Sequence, residues 1–127
     1  MDIFNIHLEF DHEKFRNKIN EAVAEKRAGY VCVVDGNVLS QTHMKPWYRD
    51  IVRGAFVNTC DGGFIAKMCN DIYHTNYRAF NGPDVFAEFI EKPYKQLLLG
   101  NTEETYNLIR AKMREKGKDE QNLKYMS

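Results

Sequence analysis

Asp61-Gly62-Gly63 directly follows the apolar run Ala55 to Cys60 and directly precedes a helical pattern that begins at Phe64. A carboxylate in that position sits at the carboxyl edge of a sheet, where open α/β folds gather ligands and chemistry. Two other strand-like runs end in the same way, at Val33-Val34-Asp35-Gly36-Asn37 and at Leu97-Leu98-Leu99-Gly100-Asn101. They would bring Asp35, Asn37 and Asn101 to the same rim, and three polar strand ends facing one cleft suggest an active site. A carboxylate on a rigid strand end can serve as a general base. Asp61 can equally cap the helix that starts at Gly62, and the residue types alone leave both roles open.

The composition narrows the function classes. Lys plus Arg and Asp plus Glu both number 18, so no basic field is available to hold nucleic acid. With 127 residues and 43% hydrophobic content the chain fits one globular domain spanning 1–127, and no run approaches the roughly 18 apolar residues of a transmembrane helix. Met1-Asp2-Ile3-Phe4-Asn5 lacks the basic then apolar pattern of a signal peptide, so cytoplasmic residence is expected. Cys32, Cys60 and Cys69 are an odd number without paired spacing and read as reduced thiols. His7, His12, His43 and His74 form no helical pair and no Cys-x-x-Cys occurs, so no metal site is expected.

The elements that must position these residues alternate along the chain. Ile3 to Phe10 reads as an edge strand, and Asp11 caps a helix with Phe15, Ile19, Ala22 and Val23 on its apolar face, stopped by Gly29. Tyr30 to Val34 is a continuous apolar run, expected to be central in the sheet and covered on both faces. A helix runs from Val38 to about His43, and Pro46 opens another that ends at Gly54. Phe64, Ile65, Met68, Cys69 and Ile72 give the next helix one apolar face. Tyr73 to Gly82, with Arg78 inside it, is a loop of functional length whose aromatic residues more often pack on their own domain. Pro83 opens a helix with Val85, Phe86, Phe89 and Ile90 inward. Gln96 to Leu99 is a buried strand, Thr102 starts a helix with Leu108, Ile109 and Met113, and Leu123 to Met126 begins a further strand. The expected fold is α/β, a Rossmann-like, mostly parallel sheet flanked by helices.

Taken in order, these junctions resemble the WecG/TagA/CpsF family of bacterial glycosyltransferases over nearly the whole chain. The pieces are the strand end near Asn37, the Pro46-Trp47 step, the strand ending in Asp61-Gly62, the Arg-containing loop closing on Gly82-Pro83-Asp84, and the Leu-Leu-Leu-Gly strand end at Gly100. The resemblance implies that Asp61 is the catalytic base, with Cys60 where the family usually has proline. It matches the family's asparagine to Asn37 and puts Asp35 at the position of a threonine, which adds a negative charge close to a phosphate-bearing donor. Arg78 corresponds to the loop arginine after a one-residue insertion. Typical members continue through further strands and a carboxyl-terminal segment that helps reach the membrane. The expected fold is therefore incomplete relative to the family, truncated on its carboxyl-terminal side.

The resemblance also implies the reaction and its partners. An N-acetylmannosamine-type sugar would pass, with inversion, from a UDP-sugar donor to a polyprenyl-diphosphate-linked saccharide acceptor in cell-surface polysaccharide synthesis. The work would be done in the cytoplasm at the inner membrane face, with peripheral membrane contact and a homo-oligomer both left open. No Asp-x-Asp pair is present to hold a divalent metal, so metal-independent transfer without a cofactor is the natural inference. Arg78 and the amides after Gly62 and Gly100 could stabilise the leaving diphosphate instead. The alternatives are a noncatalytic nucleotide-sugar or protein-binding module, and an unrelated flavodoxin-like binding domain.

Overall fold

The computed structural model describes residues 1–100, 102–118 and 120–126. Within them helices and short strands alternate, and two of the three strand pairs are parallel, so the architecture is the expected α/β, Rossmann-like type with open two-stranded sheets. The chain divides into two compact units, Met1–Asp84 and Val85–Ser127.

The first unit opens with a small antiparallel hairpin, β1 (Asp2–Ile3) and β2 (Ile6–His7), instead of the single edge strand expected over Ile3 to Phe10. Phe4 and Asn5 both adopt positive φ, 51° and 63°, the left-handed geometry that a two-residue hairpin turn requires. Asp11 then caps α1 (His12–Ala24) by accepting from the Glu13 and Lys14 amides at 3.0 and 3.2 Å. Phe15, Ile19 and Ala22 are buried as their spacing predicts, whereas Val23 is exposed. Asp11→Ala leaves those amides without a side-chain acceptor, and chemical denaturation should show a loss of about 1 kcal/mol. The helix stops at Ala24, well before Gly29, because Lys26 takes the left-handed conformation at φ 57°. Gly29 has another role: the Phe56 ring occupies the space a Cβ there would need.

β3 covers Cys32–Val34 and pairs in parallel with β4 (Asn58–Cys60), Val34 opposite Cys60. In this two-stranded sheet neither strand is central, and β4, not the Tyr30 to Val34 run, is the more enclosed. All three β4 residues are buried, and on the side away from β3 the Asn58 and Cys60 carbonyls accept from the Glu9 and Phe80 amides at 2.8 and 2.9 Å. Cys32 and Val33 are only half-buried, and Tyr30 is an exposed residue whose hydroxyl donates to the Ile51 carbonyl. Between these strands lie α2 (Gly36–Met44), two residues longer at its start than expected, and α3 (Pro46–Arg53), closed by Gly54. The core gathers Ile6, Leu8, Val34, Leu39, Val52 and Cys60 with Ile65 and Cys69 from α4 (Gly63–Tyr73). The rest of the predicted α4 face departs from expectation, since Phe64, Met68 and Ile72 are exposed, Phe64 by 74%.

The loop after α4 is folded back by Asn70. Its Oδ1 accepts from the Tyr77 amide at 2.6 Å and from the Thr75 hydroxyl at 2.8 Å, while its Nδ2 donates to the Tyr77 carbonyl. Tyr77 stacks on Phe10, and Phe80 lies buried against His12 and Phe15, so these loop aromatics pack on their own unit. α5 (Gly82–Ile90) follows, with Phe89 and Ile90 buried and Phe86 exposed, contrary to its expected inward position.

The second unit contains a strand-helix-strand crossover. β5 (Gln96–Leu99) pairs in parallel with β6 (Leu123–Met126), and α6 (Glu103–Glu115) links them, capped by Thr102 through the Thr105 amide. A small core of Ile90, Met113 and Leu123 holds this unit. β5 is less buried than its run of leucines suggests, since Leu97 is exposed, as is Leu108 on α6.

Candidate active site

The parallel register of β3 and β4 does the first part of the positioning. Val34 and Cys60 are opposite one another, so the next residues, Asp35 and Asp61, leave the sheet side by side at its carboxyl edge. The Asp61 amide donates to the Val34 carbonyl at 2.8 Å, which fixes the second carboxylate at the end of the first strand.

The two carboxylates then diverge in role. Asp35 caps α2, accepting from the Val38 amide at 2.8 Å, and Asn37 stands exposed in the first turn of the same helix. Asp61 does not cap α4, whose N-cap is Gly62 without any side-chain cap bond. Instead Asp61 Oδ1 accepts from the Gly82 amide at 3.1 Å, and among the described residues no donor is bonded to Oδ2. Asp61 is half-buried, so one oxygen is anchored while the residue stays accessible from the edge.

Gly62 adopts φ 78° and ψ 152°, a conformation essentially confined to glycine, and its amide donates to Asn81 Oδ1 at 2.8 Å. Patterning along the chain does not single out Asn81. The Asn-Gly turn signal at Asn81-Gly82, just before Pro83, is the one local cue to it. Because Asn81 occupies the Gly62 amide, the free amides at the start of α4 begin with Gly63.

Cys60, where the family resemblance leads one to expect proline, is fully buried next to Asp61. Burial, helped by Cys69 and by the Asp61 charge, pushes its thiol up to about 11. It stays protonated at neutral pH and is a poor nucleophile beside Asp61.

Arg78 is exposed, its carbonyl bonded to His12 Nε2 at 3.2 Å, and it lines a cavity of about 330 Å³ with Phe10, Asp11, His12, Asn76 and Tyr77. Asp61 does not line that cavity. Gly100 belongs to the second unit, has φ 87°, and spends its amide on the Met126 carbonyl at 3.0 Å, while Asn101 lies outside the described residues. No group of three or more His, Cys, Asp or Glu side chains able to hold a metal occurs among the described residues, and no described helix is long and apolar enough to cross a membrane.

A strand-end carboxylate with one oxygen anchored and the other open is suited to taking a proton from an incoming hydroxyl. Neither a curated protein sequence nor a solved structure matches the chain. The sequence model of the glycosyl transferase WecG/TagA/CpsF family matches residues 1–125, almost the entire chain, which therefore belongs to that family of glycosyltransferases.

Proposed function

We propose that this chain moves an N-acetylmannosamine-type sugar from a UDP-sugar to a polyprenyl-diphosphate-linked acceptor, with inversion, Asp61 acting as general base. The observation that carries the reading is the Asp61 carboxylate at the end of β4, its Oδ1 held by the Gly82 amide and its Oδ2 unbonded among the described residues. In the reaction Oδ2 takes the proton of the acceptor hydroxyl as that oxygen bonds to the anomeric carbon. The bond from that carbon to the UDP oxygen breaks on the opposite face, and the electron pair leaves with UDP.

Asn37, exposed beside Asp35, is placed to bond a sugar hydroxyl or the N-acetyl group. Arg78 and the Gly63 and Phe64 amides at the start of α4 are the groups we assign to the leaving diphosphate. The setting is the cytoplasmic face of the membrane, where a polyprenyl-linked acceptor presents its saccharide. Asp35 spends its carboxylate on the α2 cap, which softens the repulsion it would exert on the donor.

The alternative is a noncatalytic nucleotide-sugar or protein-binding module. The Gly62 and Gly100 amides favour it, because both are already engaged and cannot assist a leaving diphosphate. Incubation of the purified protein with UDP-N-acetylmannosamine and a lipid acceptor analogue separates the two readings. Acceptor-dependent release of UDP supports transfer, and donor binding without turnover supports the module. Because the chain has no Asp-x-Asp pair, a divalent-metal chelator should leave the rate unchanged within about 2-fold. Activity lost to chelator and restored by manganese would contradict metal-independent transfer and remove the charge-compensating role from Arg78.

A further inference from the structure

The segment Phe80-Asn81-Gly82 is joined to Cys60-Asp61-Gly62 residue by residue. The Phe80 amide donates to the Cys60 carbonyl at 2.9 Å, the Gly82 amide donates to Asp61 Oδ1 at 3.1 Å, and the Gly62 amide donates to Asn81 Oδ1 at 2.8 Å. The first two bonds come from the backbone and are open to any non-proline residue. The third needs a side-chain acceptor at 81. It falls on the residue that follows the base, where a glycine-only backbone turns the chain from β4 into α4 and no N-cap side chain exists to steady the turn. Asn81 therefore holds the amide of the residue before α4 from a position 19 residues away.

We infer that Asn81 is a positioning residue for Asp61: by holding the Gly62 amide it fixes the turn that keeps Oδ1 on the Gly82 amide and leaves Oδ2 toward the acceptor. The inference rests on the general-base reading of Asp61. Its anchor is firm, because Phe80 next to it is buried with its ring edge-on to Phe15 and stacked under His12. Loss of the Asn81 acceptor releases the turn without removing any group that touches donor or acceptor. The effect should therefore fall chiefly on kcat, with donor KM moving only as far as the adjoining Gly63 and Phe64 amides are displaced.

The test compares Asn81→Ala, Asn81→Asp and Asp61→Asn in this protein. Asn81→Ala is expected to lower kcat about 10- to 100-fold, the scale set by small misplacements of a catalytic group, and to raise donor KM by a clearly smaller factor. Asn81→Asp keeps an acceptor oxygen for the Gly62 amide, so it should recover most of that kcat. Amide exchange at Gly62, measured by NMR on the chain itself, should be slow in the wild type and in Asn81→Asp and fast in Asn81→Ala.

A wild-type kcat in Asn81→Ala, no recovery in Asn81→Asp, or unchanged Gly62 exchange in Asn81→Ala would each overturn the inference. If Asn81→Ala does not fold, Asn81→Asp decides: near wild-type kcat with slow Gly62 exchange supports the role, and a kcat lowered about 10-fold or more with Gly62 exchange still slow overturns it. An inactive Asp61→Asn beside a fully active Asn81→Ala removes only the positioning role. A fully active Asp61→Asn removes the general-base reading beneath it.

Discussion

Asp61→Asn should lower turnover by roughly 100-fold or more while donor affinity changes little. The substitution keeps the size of the side chain, and an amide oxygen can still accept from the Gly82 amide that now bonds Oδ1. What disappears is the basic oxygen, so the acceptor hydroxyl must attack with its proton still attached. Steady-state kinetics with separate measurement of donor binding checks this. A kcat equal to that of the wild type would take Asp61 out of the mechanism, and a matched loss of donor binding would make it a binding residue.

Phe15→Ala should cost about 3–5 kcal/mol of folding stability, a large share of the roughly 5–15 kcal/mol that holds a typical domain. Phe15 is completely buried, and its ring meets Phe80 edge-on at 5.4 Å between centroids. Phe80 in turn carries His12 stacked at 4.5 Å and the Arg16 guanidinium at 5.4 Å. Removing the Phe15 ring thus opens a cavity beneath the segment that supplies the Gly82 amide to Asp61. Urea denaturation should register the stability loss, and activity should fall even under conditions where the variant is fully folded. A loss below about 1 kcal/mol would mean that the space under Phe80 closes readily and that the ring is not its support.

The strand ends were legible because they are local. An apolar run cut off by a polar residue and glycine marks the carboxyl edge at Asp35, Asp61 and Gly100, and Gln96–Leu99 and Leu123–Met126 form where the pattern puts them. Helix starts were equally readable at Asp11, Pro46 and Thr102, where a capping side chain or a proline sets the first turn. The misreadings arise where ordinary residues take left-handed geometry. Phe4 and Asn5 split the first strand, and Lys26 stops α1 before the glycine that was expected to do so.

Which strand is the more enclosed could not be read from apolar content. Tyr30 to Val34 is the more continuous run, yet in the two-stranded sheet β4 is the more enclosed, because the chain near Glu9 and Phe80 bonds to its far side. The pattern places Asp61 at a strand end but does not show its restraint. The Asn81 and Gly82 bonds to Gly62 and Asp61 span about twenty residues of sequence, and their partners carry no shared periodicity. Likewise the spacing of Phe64, Met68 and Ile72 predicts one apolar face for α4, but only its Ile65, Ala66 and Cys69 side is buried.

The stereochemistry of transfer tests the account most directly. With UDP-N-acetylmannosamine and a polyprenyl-diphosphate-linked acceptor, proton NMR of the product taken before any equilibration reports the anomeric configuration at the new bond. Direct attack assisted by Asp61 predicts a single product with configuration opposite to that of the donor, abolished by Asp61→Asn. A product of retained configuration would require a covalent sugar-enzyme intermediate or attack from the leaving-group side, and would contradict the assignment of Asp61 as the base.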